Sequence, residues 1–326
     1  MDKTVKVREP LFDVIKAIAI FMVAMQHCYL HLGNGLYKSS AINQAISLIS
    51  VPTFMMVCGY FMYSSKWTVS KLLLREKSLL LPFLFWSLAY FLFFHHLFYN
   101  GVSLLKFIFT LISDPYFCSP LWFFRTLAII TLITFFCRRL NGHYDVIALI
   151  ILFIGFNIIT VTVTKRFAIQ SLAGNMGYFI IGYILHKYNI REHNWFQAAG
   201  VFCAILFFLF ISLKINKLYI WGGDAIVFKI CNYSGIIALF TIVTWLSKIK
   251  DTNLSSVLYL GSHTLEIYAT HFLWVYILML IDVPISAVLP NLYMVAYAFI
   301  AIILSLCSGI IIHKIPYLKT FVYGRS

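Results

Sequence analysis

Three ionisable side chains, Asp13, Lys16 and His27, stand in the first apolar stretch of the chain, "DVIKAIAIFMVAMQH". Lys16 and His27 are 11 residues apart. A helix advances about 100° per residue, so that spacing falls within about 20° of three full turns. Both side chains therefore share one face, separated by about 16 Å along the axis. A cation and an imidazole on one face make a track: one end attracts anions, and the other can take a proton near neutral pH. Asp13, three residues before Lys16, is placed to pair with it across one turn. A plainer reading stands beside this one. Lys16 snorkels to inner headgroups, Asp13 neutralises it, and His27 is a packing histidine.

Four later stretches carry further candidates. In "SVPTFMMVCGYFMY", Pro52 opens a bend and Gly59 permits close helix approach. In "KLLLREKSLLLPFLFW", Lys71, Arg75 and Lys77 precede Pro82, a cluster suited to phosphate groups or to anionic lipid. "SPLWFFRTLAII" holds Trp122, an interface-belt residue, and Arg125, which either finds a buried partner or snorkels outward. "HTLEIYATHFLW" holds Glu266, Tyr268 and His271. Tyr268 and His271 share a helix face, whereas Glu266 lies about 140° from His271. Glu266 is a functional candidate or a counter-charge for Lys16, Arg125 or Lys229. His95 and His96 read as surface histidines.

The elements that must position these residues are membrane helices. Of 326 residues, 62% are hydrophobic and 11% charged, against about 25% charged in soluble domains. The mean hydropathy is +0.90. The expected fold is an all-α polytopic membrane protein, a single bundle over residues 1–326 with no separate soluble domain. Ten stretches are long enough to span: 11–31, 42–64, 79–99, 120–137, 145–163, 168–185, 196–213, 225–246, 254–281 and 292–312. With the N-terminus inside, inner segments hold sixteen Lys and Arg and outer ones six. That bias puts both termini in the cytoplasm. Within the outer segment 100–120, "VSLLKFIFTLI" suits a short interfacial helix. The first apolar run is followed by no A-x-A-like cleavage site and reads as a retained span. The formal charge of +14 fits loop bias and anionic lipid, and no nucleic-acid module is present. The seven cysteines have no metal-ligand spacing, so no metal is expected.

Taken in order, these stretches resemble the acyltransferase-three family of integral membrane O-acyltransferases. "FDVIKAIAI" is similar to the family's "lDglRalAi", with a basic residue followed after ten positions by histidine. "PTFMMVCGY" resembles "lFFviSGy", and "REKSLLLPFLFW" resembles the basic run leading to a proline. "LWFFRTLAII" is similar to "LWFLyaLi", and "LEIYATHFL" to "lgIYllHp". The resemblance spans residues from about 8 to 275. Cys58 stands where the family usually has serine, and Lys16 where arginine is commoner, which loses a bidentate fork. The basic run is thinner near Pro82, and the extracytoplasmic hydrolase-like domain of some relatives has no counterpart.

The resemblance implies transfer of an acyl group, typically acetyl, from cytoplasmic acyl-CoA to a hydroxyl of a surface polysaccharide or lipid-linked sugar. It implies a multi-pass protein of the bacterial cytoplasmic membrane, with acyl-CoA as co-substrate and no permanently bound cofactor. On that basis His27 is the general base, and Arg125 or Tyr268 stabilises the oxyanion, with Glu266 and His271 beside them in the catalytic set. Lys16, Lys71, Arg75 and Lys77 contact the donor, while Asp13, Pro52, Gly59 and Trp122 support the site. A covalent relay through His27 or Cys28 is a variant of this chemistry. The rival reading is a proton-coupled transporter or flippase for a lipid-linked sugar, which the intramembrane Glu and His would also suit.

Overall fold

The computed structural model describes residues 9–33, 35–64, 67–98, 101–113, 121–162, 168–216, 224–247, 254–281, 289–315 and 317–324. The cations Lys3, Lys6, Arg8, Lys66, Lys165, Arg166, Lys217, Lys248, Lys250 and Arg325 fall outside these residues. So do Cys118, much of the expected outer segment 100–120, and the side chains of His95 and His96.

The described chain is all-α. In order, the helices are α1 (Pro10–His31), α2 (Leu36–Ser39), α3 (Ala41–Ser64), α4 (Val69–Phe98), α5 (Leu104–Ser113), α6 (Trp122–Cys137) and α7 (Tyr144–Thr162). There follow α8 (Ile169–Lys187), α9 (Asn194–Ile215), α10 (Asp224–Leu246), α11 (Ser255–Ser262), α12 (Thr264–Leu280), α13 (Pro290–His313) and α14 (Leu318–Tyr323). Among the described residues, seven helices are long and apolar enough to cross a membrane: 10–31, 41–63, 69–94, 144–162, 194–213, 227–246 and 290–313. The chain is thus a polytopic membrane protein. Helices satisfy their own backbone groups, which hydrocarbon requires. Two of the other expected spans, 120–137 and 254–281, contain shorter apolar helices, α6 and α12. The remaining one, 168–185, is α8, which buries the polar Ser171 and Asn175.

Two boundaries differ from the sequence expectation. α4 begins at Val69 rather than 79, so the basic cluster rides on the helix itself. Thr68 caps that start by accepting the Lys71 N–H at 3.2 Å, and the helix runs through Pro82. The expected span 254–281 is two helices, α11 and α12, broken at His263 (φ −107°, ψ 19°). Beside the break the Ser262 hydroxyl donates to the Tyr259 carbonyl at 2.7 Å, a local bond that competes with the helical ladder.

The chain divides into two compact units. Unit 1 comprises residues 1–57, 191–268 and 275–302. In it α1 packs against α10 and α11, and α9 pairs with α10. Pro10 sits in the first turn of α1, where a missing N–H costs nothing, and Glu9 at the N-cap pairs with Arg191 at 2.7 Å. Unit 2 comprises residues 58–190, 269–274 and 303–326. Here α4 packs on α6 and α14, and α7 on α8. The Trp86 indole N–H donates to the Val322 carbonyl at 3.1 Å, tying α14 to α4.

Candidate functional site

In unit 1 the site is built on α1. Asp13 is buried in its first turn, where a carboxylate suits the positive end of the helix dipole. Lys16 Nζ lies 2.8 Å from Asp13 Oδ1. The two differ in access: 26% of the Lys16 side chain is exposed and 6% of Asp13. This stretch of α1 is clamped by α11. A Cβ at Gly261 would fall 1.9 Å from the Asp13 carbonyl oxygen, so any larger residue there must displace backbone.

Near the other end of α1, His27 is half-buried. Its ring stacks on that of His31, with centroids 6.2 Å apart and planes 13° from parallel. Tyr276 meets His31 edge-on at 4.8 Å. One residue before His27, the Gln26 side-chain amide oxygen, Oε1, accepts the Ser50 hydroxyl at 2.7 Å. Beyond it, the Tyr29 and Ser40 hydroxyls both donate to Asn291 Oδ1, at 2.7 and 2.9 Å. His27 is thus held among aromatic and hydrogen-bonded neighbours that fix the helix on either side. Cys28 is fully buried on another face.

The candidates on α12 are all buried. Glu266 and Tyr268 belong to unit 1 and His271 to unit 2. Tyr268 and His271 stand one turn apart on the helix, and Glu266 lies five residues before His271. Within unit 2, Tyr90 of α4 donates its hydroxyl to the Ala269 carbonyl at 2.9 Å, and its ring meets Phe272 edge-on at 5.7 Å.

In the same unit the cations of α4 lie at the surface. Lys71 and Lys77 are exposed and Arg75 is half-buried. Lys71 and Arg75 are four residues apart and share a face, whereas Lys77 lies about 200° from Arg75. Arg125 is buried; its guanidinium donates to the Leu111 carbonyl in α5 and lies 5.9 Å from the Phe83 ring centroid. Trp122 is half-buried at the start of α6. At Gly59 a Cβ would fall 1.9 Å from the Phe179 carbonyl oxygen, so α3 and α8 meet backbone to backbone. Pro52 is buried inside α3, where the adjacent Thr53 hydroxyl donates to the Ile49 carbonyl at 2.6 Å.

Sequence reasoning missed four features. His31 follows His27 by one turn, and that spacing alone would have drawn attention to it. Gly261 reveals itself only through its contact with α1. Arg138, after α6, donates to the Met62 and Tyr63 carbonyls at 2.6 and 3.2 Å and so caps the end of α3. Asp145, Tyr183 and Lys187 form a closed cluster between α7 and α8.

A sequence-family profile described as an acyltransferase domain matches residues 10–311. No curated protein and no solved structure matches the chain.

Proposed function

The chain belongs to the acyltransferase-three family of integral membrane O-acyltransferases, and from that premise we propose that it moves an acetyl group from acetyl-CoA to a hydroxyl of a surface polysaccharide or lipid-linked sugar. The observation that carries the reading is the single face of α1, with a reachable cation at Lys16 and a half-buried imidazole at His27. Coenzyme A is polyanionic and its pantetheine arm is long and thin, so a track of this kind suits it.

In this mechanism Lys71 and Arg75 hold the donor phosphates from one face of α4, Lys77 adds only to the general positive charge there, and Lys16, oriented by Asp13, contacts the donor along its arm. Neutral His27 accepts the proton of the acceptor hydroxyl while that oxygen attacks the thioester carbonyl. The oxygen–carbon bond forms, the tetrahedral intermediate collapses, and the carbon–sulfur bond breaks. The imidazolium returns the proton to the departing thiolate, so no charge is left behind. Tyr268 or Arg125 donates to the developing oxyanion. Glu266 and His271 belong to the same polar set, and Pro52, Gly59 and Trp122 shape the helices that carry it. The whole chain works as one acyltransferase domain of ten spans with both termini in the cytoplasm, in a bacterial cytoplasmic membrane.

Purified protein supplied with radiolabelled acetyl-CoA and an isolated surface glycan should release coenzyme A and acetylate the glycan. His27→Ala should lower that rate by about 100- to 10,000-fold, the range for a positioned general base, while the protein still accumulates in the membrane. Undiminished transfer by His27→Ala would remove the base assignment. Absence of any acetyl-CoA turnover, together with uptake of a lipid-linked sugar, would favour a transporter instead.

A further inference from the structure

Where α6 ends beside the start of α4, unit 2 contains a cavity of about 300 Å3. Trp67, Thr68 and Val69 line it from the start of α4, and Phe135, Arg138 and Arg139 from the end of α6. Its wall is mixed, with two guanidinium groups beside an indole and a phenyl ring. The Met62 carbonyl, near the end of α3, holds two of these groups in place. It accepts the Trp67 indole N–H at 2.9 Å and the Arg138 guanidinium at 2.6 Å. Arg138 also donates to the Tyr63 carbonyl at 3.2 Å, so its fork is committed to α3 and it lends the cavity charge. Arg139 differs. Its guanidinium lies 4.9 Å from the Phe135 ring centroid and 5.5 Å from that of Phe136. Among the described residues its side chain makes no hydrogen bond and no ion pair. A planar fork with five N–H donors, steadied by aromatic rings, matches the oxygens of a phosphate.

The cavity continues the donor face of α4. Thr68, Lys71 and Arg75 follow at three- and four-residue intervals, within about 60° of one another around the helix. They span about 10 Å along its axis, and Lys77 lies outside the stripe. Coenzyme A carries its 5′-diphosphate and its 3′-phosphate on one ribose, next to a flat adenine. With the diphosphate on Lys71 and Arg75, the ribose comes one turn back along α4, to the mouth of the cavity. A phosphomonoester there carries a charge of about −1.5 to −2 at pH 7, which two arginines suit. The volume lies at the low end of the range of about 300–1,000 Å3 usual for small-molecule sites, so it fits one end of the donor rather than all of it.

We propose that this cavity holds the 3′-phosphoadenosine end of the acyl-CoA donor, with the 3′-phosphate on Arg139, the charge of Arg138 behind it and the adenine against Trp67. The inference rests on the donor reading given above and deepens it: the chain tells coenzyme A from a donor that lacks the 3′-phosphate. The test is direct binding to the full chain in phosphatidylcholine nanodiscs. The probes are coenzyme A and 3′-dephospho-coenzyme A, which differ only in that phosphate.

Coenzyme A should bind at least about tenfold tighter, the scale of a charge-assisted contact. Arg139→Gln should bring the ratio close to one by weakening coenzyme A alone, and Arg139→Lys should keep part of the preference. Arg139 is exposed and leaves the cap of α3 to Arg138, so both variants should fold as the parent does. Lys71→Gln should weaken both probes about two- to fivefold and leave their ratio intact, because it meets the diphosphate they share. Equal affinity of the native chain for the two probes overturns the proposal and leaves Arg139 as a headgroup contact. An undiminished preference in Arg139→Gln overturns it too. Acetyl-CoA turnover by the same preparation separates this inference from the wider one. Turnover without a 3′-phosphate preference removes the cavity assignment alone, whereas the preference without turnover keeps the cavity and removes acyl transfer.

Discussion

Asp13 of unit 1 and Asp145 of unit 2 each neutralise a lysine from a buried position, but the two lysines differ in what they can still reach. Lys187 is nearly enclosed: its side chain is 9% exposed, and its Nζ bonds both Asp145 and the Gly142 carbonyl. Around it Asp145 also accepts the Tyr183 hydroxyl and the Val146 N–H, each at 2.6 Å. A charge pair closed in this way fastens α7 to α8 and offers nothing to a ligand. Among the described residues Lys16 makes one ion pair, within its own helix, and keeps 26% of its side chain open. Buried pairing alone therefore does not mark function. The accessible cation beside a buried counter-charge is the arrangement suited to binding an anion, and that distinguishes Lys16 from Lys187.

The comparison can be broken by substitution. The largest effect on folding should come from Lys187→Met, which strands Asp145 without its cation. Loss of one partner of a buried pair costs about 3 kcal/mol, so thermal unfolding in detergent should shift markedly downward. Activity per folded molecule should stay unchanged; a selective loss of activity would place Lys187 in the donor path. Smaller, and on a different readout, is the paired removal of both charges. Asp13→Asn with Lys16→Met leaves no stranded charge and should keep the melting temperature near that of the parent. Its kcat/KM for acetyl-CoA should nevertheless fall about tenfold, the scale of one charge-assisted contact. Asp145→Asn with Lys187→Met should leave kcat/KM intact. If both double variants behaved alike, the distinction between the pairs would collapse.

The shared face of Lys16 and His27 was legible because it obeys a periodicity internal to one helix: eleven residues bring the two to one face whatever surrounds them. The Asp145–Lys187 clamp was not, because its partners are 42 residues apart and only the packing of α7 on α8 brings them together. Arg125 shows a second limit. Its acceptor is the backbone carbonyl of Leu111, and side-chain identity carries no record of a main-chain acceptor. The early start of α4 was hidden for another reason. Charge made 69–78 read as loop, although Thr68 is a good cap and nothing from Val69 onward breaks a helix before Pro82. The break at His263 did leave a trace, since the stretch Gly261-Ser262-His263-Thr264 interrupts the apolar pattern, but it is too short to tell a break from a polar patch on a continuous helix.

That extended α4 yields the smallest predicted effect. If the basic cluster acted only as inner-leaflet charge, Lys71, Arg75 and Lys77 would be interchangeable, since the membrane surface reads their sum. On a rigid helix they are not equivalent. Lys71 and Arg75 share a face, and Lys77 points about 200° from Arg75. A donor phosphate held by that face should feel the first two and largely ignore the third. Exposed charge contacts are worth about 0.3–1 kcal/mol. Lys71→Gln and Arg75→Gln should therefore each raise the KM for acetyl-CoA about two- to fivefold, with kcat unchanged, whereas Lys77→Gln should change it by less than about twofold. The difference should shrink as ionic strength rises, because the screening length falls from about 10 Å at 0.1 M to about 3 Å at 1 M. Equal KM increases for all three variants would mean that the cluster acts as diffuse surface charge, and the face-specific reading of α4 would have to be given up.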